Sequence, residues 1–159
     1  MVDRVPMTAR GYEQIKTDLK QLKSVERPKN IKEIEEAIAH GDLSENAEYH
    51  AAKERQGHLE ARISLLEDRL ARAQVIDPSG QTTDQVRFGC TVRLEDAETA
   101  EEVRYTIVGE DESDVSQGRI SLTSPVGRAL MGKAVDDTVE VKVPKGNRKL
   151  DVLEILIES

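Results

Sequence analysis

Aromatic side chains are almost missing from this 159-residue chain, which has no tryptophan, one phenylalanine and three tyrosines. Rings carry much of the buried area of a large core. Their scarcity argues against one big globular body and leaves room for one ordinary domain or two small ones. Cysteine is nearly absent too: the single Cys90 excludes an intrachain disulfide framework and any zinc site assembled from paired cysteines. No run of about 18 apolar residues occurs, and residues 1–10 lack the apolar stretch of a signal peptide. The expectation is a soluble, cytoplasmic protein with no membrane partner, working as a monomer. A basic excess is also lacking. Residues 1–76 carry 13 Lys and Arg against 14 Asp and Glu, and residues 77–159 carry 10 against 17. A balanced first half and an acidic second half disfavour broad independent binding to nucleic acid.

What is abundant is charge, at 34% of residues, in the company of Ala, Leu, Glu, Lys and Arg, a mixture suited to a long exposed helical element. Thr8 is a suitable N-cap for a first helix over roughly residues 9–40, with Tyr12, Ile15, Leu19 and Leu22 at 3-4 spacing. Pro28 lacks a backbone donor and disfavours helix before it, so a kink or short break near residues 25–27 is expected. The apolar stripe then resumes as Ile31, Ile34 and Ile38. A second helix, roughly 44–75, keeps an unbroken 4-3 register through Glu45, Tyr49, Ala52, Gln56, Leu59, Ile63, Leu66, Leu70 and Ala73. Only its later half is strongly apolar. Two such helices joined by a tight Gly-containing turn read as an antiparallel coiled-coil hairpin, each arm about 45 Å long.

After Asp77-Pro78-Ser79-Gly80 the hydrophobic period changes to two. Val86, Phe88, Cys90, Val92 and Leu94 alternate with polar residues, as do Val103, Tyr105 and Ile107, and later Val139, Val141 and Val143. Ser124-Pro125 opens a short helix over about 125–131, Ser124 as cap and Pro125 at the first helical position. The fold class is therefore α+β: an N-terminal helical hairpin over 1–76, a linker over 77–84, and a small α+β domain over 85–159.

The turn between the helices, Gly41-Asp42-Leu43-Ser44-Glu45-Asn46-Ala47-Glu48-Tyr49, places two carboxylates at the far end of a rod. One reading is a capping box, with Asp42 as N-cap and Glu45 reaching back. Ser44 is a rival cap that would release Asp42. The other reading is metal delivery, and a helix N-terminus favours the ionised carboxylates that a ligand must be. Two carboxylates alone make an incomplete Mg²⁺ site, because that ion prefers six oxygens and borrows the remainder from a substrate or partner. No nucleophile–base pair, phosphate-binding glycine loop or Cys/His cluster accompanies them. His40 and His50 flank the turn as solvated helix-end residues. Tyr49 falls on the seam, and Asn46 can bond backbone in the first turn.

The stretch from Gly41 through Tyr49 and on through His50-Ala51-Ala52-Lys53-Glu54 resembles the tip of bacterial Gre-type transcript cleavage factors. Pro6-Met7-Thr8, Arg27-Pro28, Ala73-Gln74-Val75-Ile76-Asp77 and Gly118-Arg119-Ile120-Ser121 match the same family. So does Ser124-Pro125-Val126-Gly127-Arg128-Ala129-Leu130-Met131-Gly132-Lys133, and the likeness covers nearly the whole chain. The residues Ala47-Glu48-Tyr49-His50-Ala51-Ala52 lean toward its GreA branch rather than GreB. The resemblance implies an FKBP-like second domain docking at the rim of the bacterial RNA polymerase secondary channel through Ser124 and Pro125. It implies a coiled coil that enters the channel and brings Asp42 and Glu45 to a Mg²⁺ ion shared with the polymerase. Asn46 and Tyr49 would support the tip, and Lys53 and Arg55 would contact the nascent RNA 3′ end. The polymerase would then hydrolyse backtracked RNA and resume elongation, so the chain would be no enzyme in itself. Relatives are often basic at the position of Ile38, a departure that bears on RNA contact. A channel-occupying regulator that inhibits without cleavage would be expected to lack the tip acids. A prolyl isomerase would need more rings than Phe88 and Tyr105, and a generic coiled coil leaves the acidic tip unexplained.

Overall fold

The structure is a computed structural model that describes residues 3–43, 45–144 and 146–157. It divides into two compact units, one comprising Tyr12–Ala73 and the other Arg4–Gly11 together with the chain from Gln74 onward. The segment 4–11 thus groups with the second unit. Strand β1 (Val5–Met7) pairs with β2 (Ala73–Val75), and Ile76 N–H donates to Met7 O at 3.0 Å. Thr8 caps helix α1 (Ala9–Gln21), its hydroxyl accepting from Gly11 N–H at 3.1 Å. Glu112 holds Thr8 in turn, accepting from its N–H at 2.9 Å and from its hydroxyl.

Of the kink or short break expected before Pro28, the structure shows a local irregularity and no break. The helix runs on through a widened π turn, Leu22–Glu26, in which Arg27 N–H donates to Leu22 O, and α2 (Arg27–Ala39) follows directly. In a regular α-helix the Pro28 ring would collide with the carbonyl of Ser24, four residues earlier. The π turn relieves this by taking one more residue per turn, and the Ser24 hydroxyl donates to Lys20 O at 2.6 Å. The added residue moves the inward stripe. Asn30 and Ala37 are buried, whereas Ile31 and Ile38 are 45% and 49% exposed. Of the expected stripe only Ile34 keeps a half-buried place.

Helix α3 (Ala47–Ala71) returns alongside α2. Its seam follows the 4-3 register: Ala52, Ile63 and Leu66 are buried, while Tyr49, Gln56, Leu59 and Leu70 are half-buried. It is shorter at both ends than the 44–75 read from the sequence, since Ala73–Val75 is strand and the cap lies at Asn46. Antiparallel pairing is fixed by cross-links between the arms: Lys23 Nζ to Glu67 at 2.8 Å, Arg27 to Glu60 through two bonds of 2.9 and 2.8 Å, and Arg55 to Glu33 at 3.0 and 2.8 Å. The Arg27 guanidinium holds the Glu60 carboxyl below its usual range through those hydrogen bonds. Among the described residues no helix is long and apolar enough to cross a membrane.

The second unit is a five-stranded sheet of order β5-β4-β3-β7-β6, formed by β3 (Thr91–Asp96), β4 (Glu102–Val108), β5 (Arg119–Ser121), β6 (Thr138–Val143) and β7 (Gly146–Leu156). Every pairing is antiparallel except β4 with β5. One short helix, α4 (Pro125–Leu130), packs against β5 and β6. This sheet folded about a single helix meets the α+β expectation. Val92 and Leu94 of β3, Ile107 of β4, Val139 and Val141 of β6, Leu150 and Val152 of β7 and Leu130 of α4 form one buried core. Val86 and Phe88 join that core from outside any strand, because Gly89 turns the chain at φ +87 before β3 begins. The expected linker carries its own structure, a 3₁₀ turn over Pro78–Gly80 with Asp77 accepting from Ser79 N–H at 2.9 Å.

Candidate functional site

The first arm ends with His40 N–H on Ala37 O and Gly41 N–H on Ile38 O, both at 3.1 Å. Gly41 then takes φ +107, a conformation that favours glycine. Asp42, Leu43 and Glu45 follow in an exposed loop, and Ser44 lies outside the described residues. Asn46 is extended, at φ −86 and ψ 96, and is the residue that caps α3. Its Oδ1 accepts from Tyr49 N–H at 3.0 Å, and its Nδ2 donates to Ala37 O at 2.6 Å.

This corrects the capping box. Asp42 does not cap α3, and Glu45 precedes the cap instead of standing inside the first turn. The two carboxylates occupy the apex of the hairpin loop, facing solvent. His40 Nε2 lies 3.8 Å from a Glu48 carboxylate oxygen, and the Tyr49 and His50 rings meet edge to face at 5.6 Å. Tyr49 is half-buried on the seam. Among the described residues no group of three or more His, Cys, Asp or Glu side chains is placed to hold a metal ion. The chemistry of Asp42 and Glu45 is that of hard oxygen donors that suit Mg²⁺ but supply only part of its shell.

Of the remaining expected residues, Lys53 and Arg55 lie on α3, and Ser124 and Pro125 at the start of α4. Lys53 is exposed, with its ammonium on Gln56 Oε1 at 2.8 Å. Arg55 is tied to Glu33 across the hairpin. Two residues apart on one helix, Lys53 and Arg55 project about 200° from each other. Ser124 belongs to the other unit. Its Oγ accepts from Gly127 N–H at 3.1 Å and donates to Ser121 O at 2.6 Å, while Pro125 is exposed beside it.

Reading the sequence for hydropathy does not find the double engagement of Asn46. The available signal is its type, an amide among the favoured N-caps directly before Ala47-Glu48. The second bond, to a carbonyl nine residues earlier, depends on the two helices meeting.

Comparison with known proteins accounts for almost the entire chain. The family described as "Transcription elongation factor, N-terminal" matches residues 5–75, and "Transcription elongation factor, GreA/GreB, C-term" matches residues 81–157. A "Transcription elongation factor GreA" of Phenylobacterium zucineum is 55% identical over 154 residues, covering 97% of this chain and 98% of the relative. One of the same description from Hyphomonas neptunium is 56% identical over 155 residues, covering 98% and 99%. A solved structure of the transcription factor Gfh1 is 32% identical and covers 98% of this chain and 99% of that one, with a TM-score of 0.47.

Proposed function

The chain belongs to the GreA/GreB family of transcription elongation factors, and from that premise we propose that it stimulates cleavage of backtracked RNA by bacterial RNA polymerase. The hairpin enters the polymerase secondary channel and the second unit docks at its rim by the loop at Ser124 and Pro125. The observation that carries this reading is the placement of Asp42 and Glu45, both exposed at the end of the hairpin and neither serving as the cap of α3. Exposed carboxylates at the apex of a supported loop are able to add ligands to a site that already has some. A Mg²⁺ ion held jointly with the polymerase would polarise the attacking water and offset charge on the phosphodiester. Asp42 and Glu45 bind and orient; the polymerase supplies the rest of the active site and the RNA. Tyr49 supports the tip from the seam. Lys53 is the cation on the exposed side of α3 available to the RNA 3′ end. Arg55 would reach RNA only by releasing Glu33.

The test is RNA cleavage in stalled polymerase complexes with the parent protein, Asp42→Asn and Glu45→Gln. Both variants should compete for polymerase as the parent does and lose roughly tenfold or more of the stimulation. Stimulation equal to the parent by both variants would remove the ligand role. Parent protein that occupies polymerase but leaves RNA uncleaved would instead favour a channel-occupying inhibitor.

A further inference from the structure

We infer that Asn46 is the positioning residue of the tip: its amide ties the end of α2 to the start of α3 and thereby sets where Asp42 and Glu45 stand. This rests on the reading of those two acids given above. The geometry is specific. One face of the amide accepts from Tyr49 N–H at 3.0 Å, satisfying a donor that the first turn of α3 leaves open. The other face donates to Ala37 O at 2.6 Å, a carbonyl of the last turn of α2 that also takes His40 N–H. A single side chain therefore closes the loop that holds both acids, from the inside. Asparagine is the only common cap type able to do this. Aspartate accepts but cannot donate, and serine is too short to span both partners.

The His40–Glu48 pair, at 3.8 Å between two largely exposed side chains, also links the arms there, but more loosely. Gly41 is at φ +107 with open space where a Cβ would stand, and Leu43 of the loop is 39% exposed. The buried apolar residues nearest the tip on the two arms are small, Ala37 and Ala52. Without the Asn46 donor the loop keeps its backbone bonds at His40 and Gly41, but the start of α3 loses its hydrogen bond to the last turn of α2. Displacing a reacting group by about 1 Å costs up to roughly 100-fold in rate, so loss of the tie should be visible in cleavage before it is visible in folding.

The experiment uses the full-length chain with Asn46→Ser and Asn46→Asp, each of which keeps a cap for α3 and removes the amide donor, beside Asp42→Asn. Expected for both Asn46 variants are parental helix content and thermal midpoint, slow amide exchange at Tyr49, undiminished competition for polymerase, and cleavage at saturating factor reduced about tenfold or more. The Asn46→Ser variant should also need more Mg²⁺ for half-maximal stimulation. Parental cleavage by both Asn46 variants, with Asp42→Asn defective, would overturn the positioning role and leave the ligand role standing. Cleavage loss accompanied by fast exchange at Tyr49 in both variants would also overturn it, since capping alone would then explain the defect. Parental cleavage by Asp42→Asn would overturn both.

Discussion

A lysine placed at position 38 and one placed at position 37 should behave oppositely, although the residues are neighbours on α2. Ile38 is 49% exposed and Ala37 is 2% exposed. A fully buried isoleucine contributes about 1.5–3 kcal/mol, so replacing one that is half out of the interface forfeits at most about 1.5 kcal/mol. The lysine stem covers part of that surface again. Lysine is a better helix former than isoleucine by a few tenths of a kcal/mol. The last turn of α2 has no basic residue, and a cation there gains about 0.3–1 kcal/mol from the helix dipole. Ile38→Lys should therefore leave stability within about 1 kcal/mol of the parent. Ala37→Lys forces four methylenes and a charge into a seam closed by the buried Ala52 and the Asn46 amide, and should cost at least about 2–3 kcal/mol. For a unit of this size the second change lowers the thermal midpoint by roughly 10–20 °C and the first by less than about 6 °C. Far-ultraviolet circular dichroism on heating reads both, because α1, α2 and α3 hold most of the helix. Equal losses, or a larger loss at position 38, would refute the register that the π turn imposes. Cleavage assays add a functional side: Ile38→Lys brings a cation to the tip and should not fall below the parent.

Two further outcomes concern the second unit. A methyl group on Gly127 would lie 2.1 Å from Ser121 O and 3.0 Å from Ser124 Oγ; Gly127→Ala should cost about 2 kcal/mol or more and disturb the amide spectrum of residues 119–131 while leaving α3 unchanged. Asp96 has its carboxyl held below the ordinary 3.8 by Glu98 N–H, then Thr99 N–H, then the Arg148 guanidinium. A depressed folded value means that this stabilisation is present above the unfolded value and is lost as pH falls through the folded one. Acid unfolding of the second unit should accordingly steepen below about pH 4, and Asp96→Asn should flatten that limb; an unchanged acid limb would show that these bonds do not persist in solution.

Much of the architecture is written in periodicity. Ile63 and Leu66 sit where the 4-3 pattern puts them, β6 alternates as its valines suggest, and Ser124-Pro125 starts a short helix. Periodicity misleads where an inserted residue leaves a second plausible stripe. Ile31, Ile34 and Ile38 have helical spacing, and hydropathy cannot know that a π turn five residues long has rotated them outward. The cap of α3 is hidden for a different reason. Asp42, Ser44 and Asn46 are all good caps within five positions, and local preference cannot rank them. The role falls to Asn46, which also satisfies a carbonyl on the other arm. The assignment of segment 4–11 is equally non-local, since Thr8 meets Glu112 across 104 positions of sequence.

The far half of the hairpin is held differently from the near half, and the difference bears on what the tip must do. Near Ile63 and Leu66, apolar volume joins the arms. Toward the tip the inward positions are Asn30, Ala37 and Ala52, and the links are directional: Asn30 Nδ2 to Ala52 O at 3.0 Å and Asn46 Nδ2 to Ala37 O. This arrangement sacrifices stability, because Asn30 Oδ1 is buried with no partner among the described residues, an omission that costs about 1–3 kcal/mol. A seam of leucines would bind the arms more tightly, but it would tolerate sliding by a residue, since apolar contact has no preferred register of its own. A buried asparagine fixes register at the expense of stability. For a rod whose end carries two carboxylates to a site built by another protein, a slip of one helical turn is about 5.4 Å, far outside the reach of a metal ligand. The polar tip half is therefore the part of the hairpin in which position matters more than strength.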